Sequence, residues 1–326
     1  MPAPTPSSNQ PLVSVITPLW NEEEVLPGLI KALKACFQDT SVRWQWIAVD
    51  DGSMDATNTM VAQAMAGFDS AKLITLSRNF GQQPAYRAGL DHADGDAVIF
   101  LDADLQDPPA QIPEMIAKWR EGARLVVGCR RSRPERGIRG LLFKVFHSMF
   151  FHLTRGAMPR NSGTFGLMDR VIVDRLRAMP EVNLFLPALR RWVGSKQEIV
   201  WYDRQERDGK PRQTYAKLFQ YAWDGITSFS EAPLKYISMA GLIICLFSAL
   251  YASALVGIKL GQWAGCFSTL KVPGFTTLAV AVISLGGVQL LALGVIGEYL
   301  ARVYREVKGR PLYIVERVSG KDEGAA

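Results

Sequence analysis

Residues 98–109 read VIFLDADLQDPP. An apolar run gives way to Asp102, Asp104 and Asp107 within six positions, with Gln106 among them and two prolines behind. A short apolar run bounded by turn residues reads as a buried strand, so the carboxylates stand at its carboxyl end. If the chain stays extended through 102–106, Asp102, Asp104 and Gln106 point to one side. Two carboxylates held that close repel unless a cation lies between them. An all-oxygen donor set suits Mg2+ or Mn2+. In a solvated loop the same aspartates would instead cap the helix that follows. Asp107, just before the prolines, fits capping whichever way the other two are used.

Working outward, short apolar runs alternate with helical patterns over residues 12–130. LVSVITPLW (12–20), WQWIAVDDGS (44–53), AKLITLS (71–77), AVIFLDAD (97–104) and RLVVGC (124–129) read as strands, the second running on into a turn. EVLPGLIKALKACFQ (24–38), DATNTMVAQAMAG (55–67), QQPAYRAGLDHA (82–93) and IPEMIAKWREG (112–122) read as helices. Such alternation implies an α/β fold, a mostly parallel sheet with helices on both faces. Ligands of such sheets bind beyond the carboxyl ends of the strands. Three polar clusters fall there, PLWNEEE (18–24), VDDGSMD (49–55) and LDADLQD (101–107), and should converge on one crevice. Gly52 and Ser53 suit a turn and Asp55 suits a helix cap. Asp50 and Asp51 stand where carboxylates can accept hydrogen bonds from a nucleobase or ribose. The sequence has no Gly-rich phosphate loop, so phosphates would be held by metal and basic side chains.

Residues 236–258 and 275–297 carry no charged side chain. Each would span roughly 35 Å as a helix, enough to cross a bilayer. The connection, 259–274, has only Lys259 and Lys271 as charges, whereas Arg204, Arg207, Lys210, Arg212, Lys217 and Lys235 precede the first span and Arg302, Arg305, Lys308, Arg310 and Arg317 follow the second. This asymmetry predicts a multi-pass protein of the cytoplasmic (inner) membrane with its large polar domain and both termini in the cytoplasm. The expected organisation is a disordered lead-in (1–11), a catalytic domain (12–212), a juxtamembrane helix (213–235), a first span (236–258), a short extracytoplasmic loop (259–274), a second span (275–300) and a cytoplasmic tail (301–326). Gln289 inside the second span reads as a helix–helix hydrogen-bond partner. The four cysteines are scattered without metal or disulfide spacing.

A net charge of +6 and a pI near 9.1 favour anionic partners. The basic residues cluster beside the membrane-proximal segments, which argues for lipid and against nucleic acid. In 130–155, Arg130, Arg131, Arg133, Arg136 and Arg139 run into a Leu- and Phe-rich stripe. This reads as an interfacial amphipathic helix (137–153) that sets cations beside a lipid phosphate, or as an ordinary helix packed on the sheet. The tail RPLYIVERV (310–318) alternates like an edge strand that could pair with a neighbouring subunit, so a homo-oligomer is expected.

In this order, VITPLWNEEE (15–24), VDDGSMDAT (49–57), LSRNFGQQPAYRAGLDHADGD (76–96), FLDADLQDPP (100–109), FGLMDR (165–170), WDGITSFS (223–230) and GEYLARVYREVKGRPLY (297–313) resemble family 2 glycosyltransferases of the GT-A fold. The resemblance covers about residues 12–316 and is strongest to the polyprenyl-phosphate group, which includes dolichol-phosphate mannose synthase and bacterial enzymes acting on undecaprenyl phosphate. It implies that Pro18, Trp20, Glu22, Asp50, Asp51 and Arg78 meet the nucleotide, with Gly81 in the same loop. It also implies that Asp102 and Asp104 serve catalysis and, with Gln106, hold the metal and diphosphate. Arg130, Arg131, Arg136, Arg207, Lys210 and Arg212 are the expected phosphate and acceptor contacts. Two departures stand out. Relatives often read GDFRLMDR where this chain reads GTFGLMDR (163–170), so Thr164 replaces an acid and Gly166 a base. The basic loop RDGKPRQTY (207–215) is out of register with its counterpart. Asp169 is retained, with helix capping as its plain role.

The activity implied is inverting transfer of one hexose from a nucleotide-sugar, UDP-glucose ahead of GDP-mannose, to polyprenyl phosphate at the cytoplasmic face. Two rivals are a processive polysaccharide synthase and a non-enzymatic nucleotide-binding scaffold. LRRW (189–192) resembles the QxxRW signature of the synthases, but position 188 is Ala and two spans are few for a translocation pore.

Overall fold

The computed structural model describes residues 10–38, 40–131, 162–181, 186–203, 232–264 and 274–320. The helix expected over 137–153, most of that expected over 213–235, and Arg136, Arg207, Lys210 and Arg212 lie outside these residues. The chain divides into two compact units, one formed by residues 1–218 and 309–326 and the other by residues 219–308.

In the first unit, β1 (Leu12–Leu19), β2 (Arg43–Asp50), β3 (Ala71–Leu76), β4 (Ala97–Phe100), β5 (Leu125–Arg130), β6 (Ser162–Asp169), β7 (Gln197–Tyr202) and β8 (Val315–Gly320) form one sheet, ordered β7-β5-β6-β4-β1-β2-β3-β8. Strands β4, β1, β2 and β3 are mutually parallel, the register running from Val13 opposite Ala97 to Asp50 opposite Thr75. The α/β sheet expected from the alternation is therefore present. Two antiparallel placements were not legible: β6 between β4 and β5, and the pairing of the tail strand β8 with β3 of its own chain. Leu12–Leu19 and Ala97–Phe100 are buried on both faces almost throughout, as befits strands covered by helices on each side.

Helices α1 (Leu26–Phe37), α2 (Thr57–Met65), α3 (Gln82–Asp91) and α4 (Ile112–Arg120) fill the crossovers, with α5 (Arg170–Arg177) and α6 (Leu186–Trp192) further on. Leu26, Leu29, Leu33 and Phe37 recur at three- and four-residue spacing and are all buried, the apolar stripe of a surface helix. Phe37 stacks on Trp44 at 4.4 Å between ring centroids, and Trp46 and Phe68 extend the same cluster. Helix α3 lies close on β1 and β2. A Cβ at Gly89 would overlap Ile16 and come within 3.1 Å of Val49.

The second unit is a pair of long helices, α7 (Ala232–Trp263) and α8 (Gly274–Lys308). Each contains a stretch apolar enough to cross a membrane, Leu234–Ile258 with mean hydropathy 2.2 and Ala281–Lys308 with 1.7. Their large apolar side chains face outward; Phe247 and Leu290 are 69% and 72% exposed. Helix α8 continues past residue 300 to Lys308. The residues that follow re-enter the sheet: the N–H of Ser77 donates to the carbonyl of Ile314, and β8 pairs antiparallel with β3 from Lys72–Gly320 to Leu76–Val315. The tail expected to pair with a neighbouring subunit thus pairs with its own. Tyr313 fastens the turn, donating to Asp91 of α3 at 2.7 Å.

Gly89→Ala should force the helix away from the sheet, costing about 1–3 kcal/mol. A urea titration of the purified protein followed by circular dichroism measures it, with a lower midpoint than wild type expected.

Candidate active site

The carboxyl ends of β1, β2, β3 and β4 lie along one edge because these strands are parallel, and their loops are stitched together there. The N–H of Asn21 donates to Ser53 Oγ, the N–H of Met54 to Asn21 Oδ1, and the N–H of Glu22 to Thr57 Oγ1. Asp55 accepts from the N–H of Thr57 at the start of α2 and from that of Glu23. Among the described non-glycine residues, only Asn21 and Leu105 have positive φ, at 52° and 56°. Both sit in these strand-end loops, and a left-handed leucine is backbone strain of the kind that gathers at functional sites.

Asp50 and Asp51 are adjacent, and both are buried, but they do different work. Asp50 accepts from the N–H of Ser53 and from Asn58 Nδ2 at 2.6 Å, and it lines a pocket of about 490 Å³. Asp51 turns away from that pocket's lining. Its two oxygens accept from the N–H groups of Phe80 and Gly81, at 2.7 and 2.8 Å. Burial raises the Asp51 carboxyl above the usual carboxylate range, while these two bonds pull it back. Gly52 allows the close approach. At φ +69° it faces the backbone of Arg78 and Asn79, and a Cβ there would lie 2.5 Å from the Arg78 carbonyl carbon.

Arg78 lines the same pocket, its guanidinium 4.1 Å from the Phe80 ring centroid. Pro18 stays in β1 opposite Val49. Trp20 is half exposed at the mouth of the β1 loop. Glu22 is partly buried and its carbonyl receives the N–H groups that start α1.

The opening stretch is not extended. Strand β4 ends at Phe100; residues 103–104 turn, Leu105 is left-handed, and the N–H of Gln106 folds back onto Asp104 Oδ1 at 3.1 Å. The premise that put Asp102, Asp104 and Gln106 on one side is corrected by this turn. Asp102 Oδ1 accepts from Gln82 Nε2 at 2.7 Å and Tyr86 Oη at 2.6 Å. Burial first, then the nearby charges of Asp107 and Asp104, push its pKa up to about 6 although the Tyr86 bond opposes this. Tyr86, fully buried against the same carboxylate, stays protonated and donates to it.

Asp107 does not cap the following helix. The 3₁₀ turn Pro109–Gln111 and α4 have no side-chain cap. Asp107 is instead buried, accepting from Tyr202 Oη and pairing with Arg130 Nη2 at 3.1 Å. Arg130 also reaches the Tyr202 hydroxyl through Nε. The guanidinium expected to meet a phosphate is thus engaged in tying β5 and β7 to the loop after β4. Arg131 is exposed, its N–H donating to the Tyr202 carbonyl.

The departure in β6 has a structural counterpart. Gly166 stands opposite Val127 of β5, and a Cβ on it would lie 2.6 Å from the Val126 carbonyl oxygen and 3.1 Å from Nη1 of Arg190. Arg190 is buried and donates to the carbonyls of Thr164 and Gly163. A guanidinium from α6 thereby occupies space that a side chain at 166 would need. Burial lowers its pKa to about 10, so it remains charged at neutral pH. Asp169 caps α5, accepting from the N–H of Val171, and receives Trp119 Nε1 on its other oxygen.

Residues 14–177 match the family described as glycosyl transferase family 2. The chain belongs to that family. A glycosyltransferase of Synechocystis sp. whose activity is uncharacterized is 43% identical over 312 residues, covering 94% of this chain and 96% of that one. A prophage bactoprenol glucosyl transferase homolog of Escherichia coli K12 is 37% identical over 311 residues, covering 94% and 99%. The bactoprenol glucosyl transferase of Shigella phage SfV is 37% identical over 312 residues, covering 95% and 99%. Among solved structures, mannosyl-3-phosphoglycerate synthase from Rubrobacter xylanophilus is 19% identical, covering 81% of this chain and 78% of its own, with a TM-score of 0.49.

This glycosyltransferase places Asp50 and Arg78 in one pocket at the ends of β2 and β3, and Asp102 near Asp104 in the turn after β4; the start of α3 bonds both Asp51 and Asp102. Reading the sequence missed Gln82 and Tyr86, whose i, i+4 spacing puts both on the helix face toward Asp102. It also missed Asn58, Arg190 and Tyr313, which carry no local signal.

No group of three or more His, Cys, Asp or Glu side chains able to hold a metal exists among the described residues. The oxygen donors of Asp102 and Asp104 nonetheless fit a hard cation that takes one or two carboxylates and completes its shell with substrate phosphate and water.

Asp107→Ala should leave the Arg130 cation buried without its partner and cost about 3–5 kcal/mol. Urea denaturation measures this, and Asp107→Ala with Arg130→Met should recover part of the loss.

Proposed function

We propose that this glycosyltransferase moves one glucose from UDP-glucose to polyprenyl (undecaprenyl) phosphate at the cytoplasmic face of the membrane, with inversion. GDP-mannose is the second choice of donor. One observation carries the reading: a pocket holding Asp50 and Arg78 and the Asp102–Asp104 turn lie at the carboxyl edge of the same four parallel strands, both tied to the start of α3 through Asp51 and Asp102. That arrangement supports a nucleoside at one end and a diphosphate at the other. The names of the E. coli and Shigella phage relatives support glucose and bactoprenol.

The geometry and the resemblance together support these roles. Asp50 would accept from the nucleoside, and Arg78, which lines the same pocket, would donate to it. Pro18, Trp20 and Glu22 would border the nucleotide from the β1 loop. Asp51 would act as a positioning residue, holding the Phe80–Gly81 backbone in place. Gln82 and Tyr86 would orient Asp102, their donated bonds fixing which oxygen faces the substrate. Asp102 and Asp104, with Gln106 from the resemblance alone, would hold Mg2+ or Mn2+. Such a cation supplies charge neutralisation for the leaving diphosphate.

The acceptor needs little from a protein base. A phosphate monoester has its second pKa near ~6 and is already largely anionic at neutral pH. An acid at position 164 is therefore dispensable for activating the nucleophile. Arg131, with Arg136, Arg207, Lys210 and Arg212, would steer the lipid phosphate.

Two exposed apolar helices of this length in water would form a patch far beyond what soluble monomers show, which supports their crossing a bilayer. Because β8 belongs to the same sheet as β1–β7, the chain leaves and rejoins one folded unit around α7 and α8. An even number of crossings is what that connectivity requires. With the basic flanks, it supports a cytoplasmic sheet.

Membranes containing the protein should transfer labelled glucose from UDP-glucose to undecaprenyl phosphate, one sugar per lipid, and lose the activity in EDTA. Asp104→Ala should lower kcat at least about a hundredfold without altering the melting temperature by more than a few degrees. Full transfer by a folded Asp104→Ala protein, or a polymeric product, would refute the reading.

A further inference from the structure

The strand that closes the donor pocket comes from the far end of the chain. Of the ten residues lining it, Glu316 and Arg317 lie on β8, more than two hundred residues from the others. Three separate observations fix β8 there. It pairs with β3 over five positions, Arg317 standing opposite Thr75. The N–H of Ser77 donates to the carbonyl of Ile314. Tyr313 donates to Asp91.

Within the pocket Arg317 joins a polar chain. Its Nη2 lies 3.5 Å from Asn58 Oδ1; Asn58 Nδ2 donates to Thr75 Oγ1 at 3.0 Å and to Asp50 Oδ2 at 2.6 Å. The guanidinium is exposed toward the cavity rather than buried in an ion pair. Sheet order decides which part of a nucleotide it can meet. Strand β8 lies four strands from β4, so its backbone is about 19 Å from that of β4 at the usual strand spacing. A diphosphate held at Asp102 and Asp104 is out of its reach, while a nucleoside over β2 and β3 is not.

We propose that Arg317, positioned by Asn58 and by the pairing of β8 with β3, binds the nucleoside end of the sugar donor and sets the affinity for it. Uracil presents an N–H between two carbonyl oxygens, and this pocket offers the complementary groups, a carboxylate at Asp50 and guanidinium donors at Arg78 and Arg317. A planar fork of donors also suits stacking on a base. The donor pocket is thus incomplete without the segment that follows the second apolar helix. The inference rests on the donor reading above and deepens it.

The test uses full-length protein in lipid nanodiscs, with uridine and UDP as probes in calorimetry and UDP-glucose in steady-state kinetics. Loss of a hydrogen bond from a charged donor should weaken both probes by roughly tenfold in Arg317→Ala. KM for UDP-glucose should rise by a similar factor while kcat stays within about twofold, the mark of binding shared by ground and transition states. Arg317→Gln, which keeps length and a donor, should fall between, and it carries the comparison if the alanine variant melts early. Wild-type affinity for both probes in both variants overturns the inference, as does a loss confined to UDP, which would place Arg317 at the phosphates. A wild-type protein that binds neither probe removes the donor reading itself, and this inference with it.

Discussion

The first turn of α3 is held between two carboxylates, and the site is organised around that constraint. Asp51 accepts the N–H groups of Phe80 and Gly81 on one side, and Asp102 accepts Gln82 and Tyr86 on the other. A helix N-terminus carries unsatisfied donors and a partial positive charge, and the hydrogen bonds made there partly offset the burial that raises both carboxyls. Gly81, at φ +102°, lets the backbone reach Asp51 before the helix begins. The two acidic strand ends, β2 and the turn after β4, are thereby locked to one rigid element. Their separation follows from the helix rather than from loop flexibility.

Around that pivot, charge is consumed by structure more than expected. Arg130 and Asp107 form a buried pair completed by Tyr202, and Arg190 is spent on two β6 carbonyls. Buried pairs contribute little net stability but are costly to break. Their effect here is to fix the unusual half of the sheet, where β6 runs antiparallel between β4 and β5. Arg78 and Arg317, which line the pocket, and Arg131 are among the arginines left exposed.

The connectivity joins the two units of the chain in an ordered way. Helices α7 and α8 are inserted between β7 and β8 of a single sheet, so the apolar pair is bracketed by elements that must fold together. A strand added beside β3 also covers its open hydrogen-bonding row, so that β8 and β7 are the two edges of the sheet.

Much of this was determined by sequence alone. Apolar runs alternating with amphipathic segments dictate helices on both faces of a parallel sheet, because only that packing buries both patterns. The position of Asp50, Asp51, Asp102 and Asp104 at strand ends followed from the same periodicity. So did the two long apolar helices, since twenty uncharged residues have no other comfortable environment. Tertiary structure alone decided how each side chain is used. Asp50 and Asp51 are neighbours with identical chemistry, yet one lines the pocket and the other holds a loop. Asp107 looked like a helix cap and became half of a buried ion pair. Arg317 looked like a membrane-flanking charge and lines the pocket beside Asp50 and Arg78. Local patterns encode which face of an element is apolar. They do not encode which distant strand will pair beside it, because that pairing is chosen by the burial and hydrogen bonding of the whole sheet.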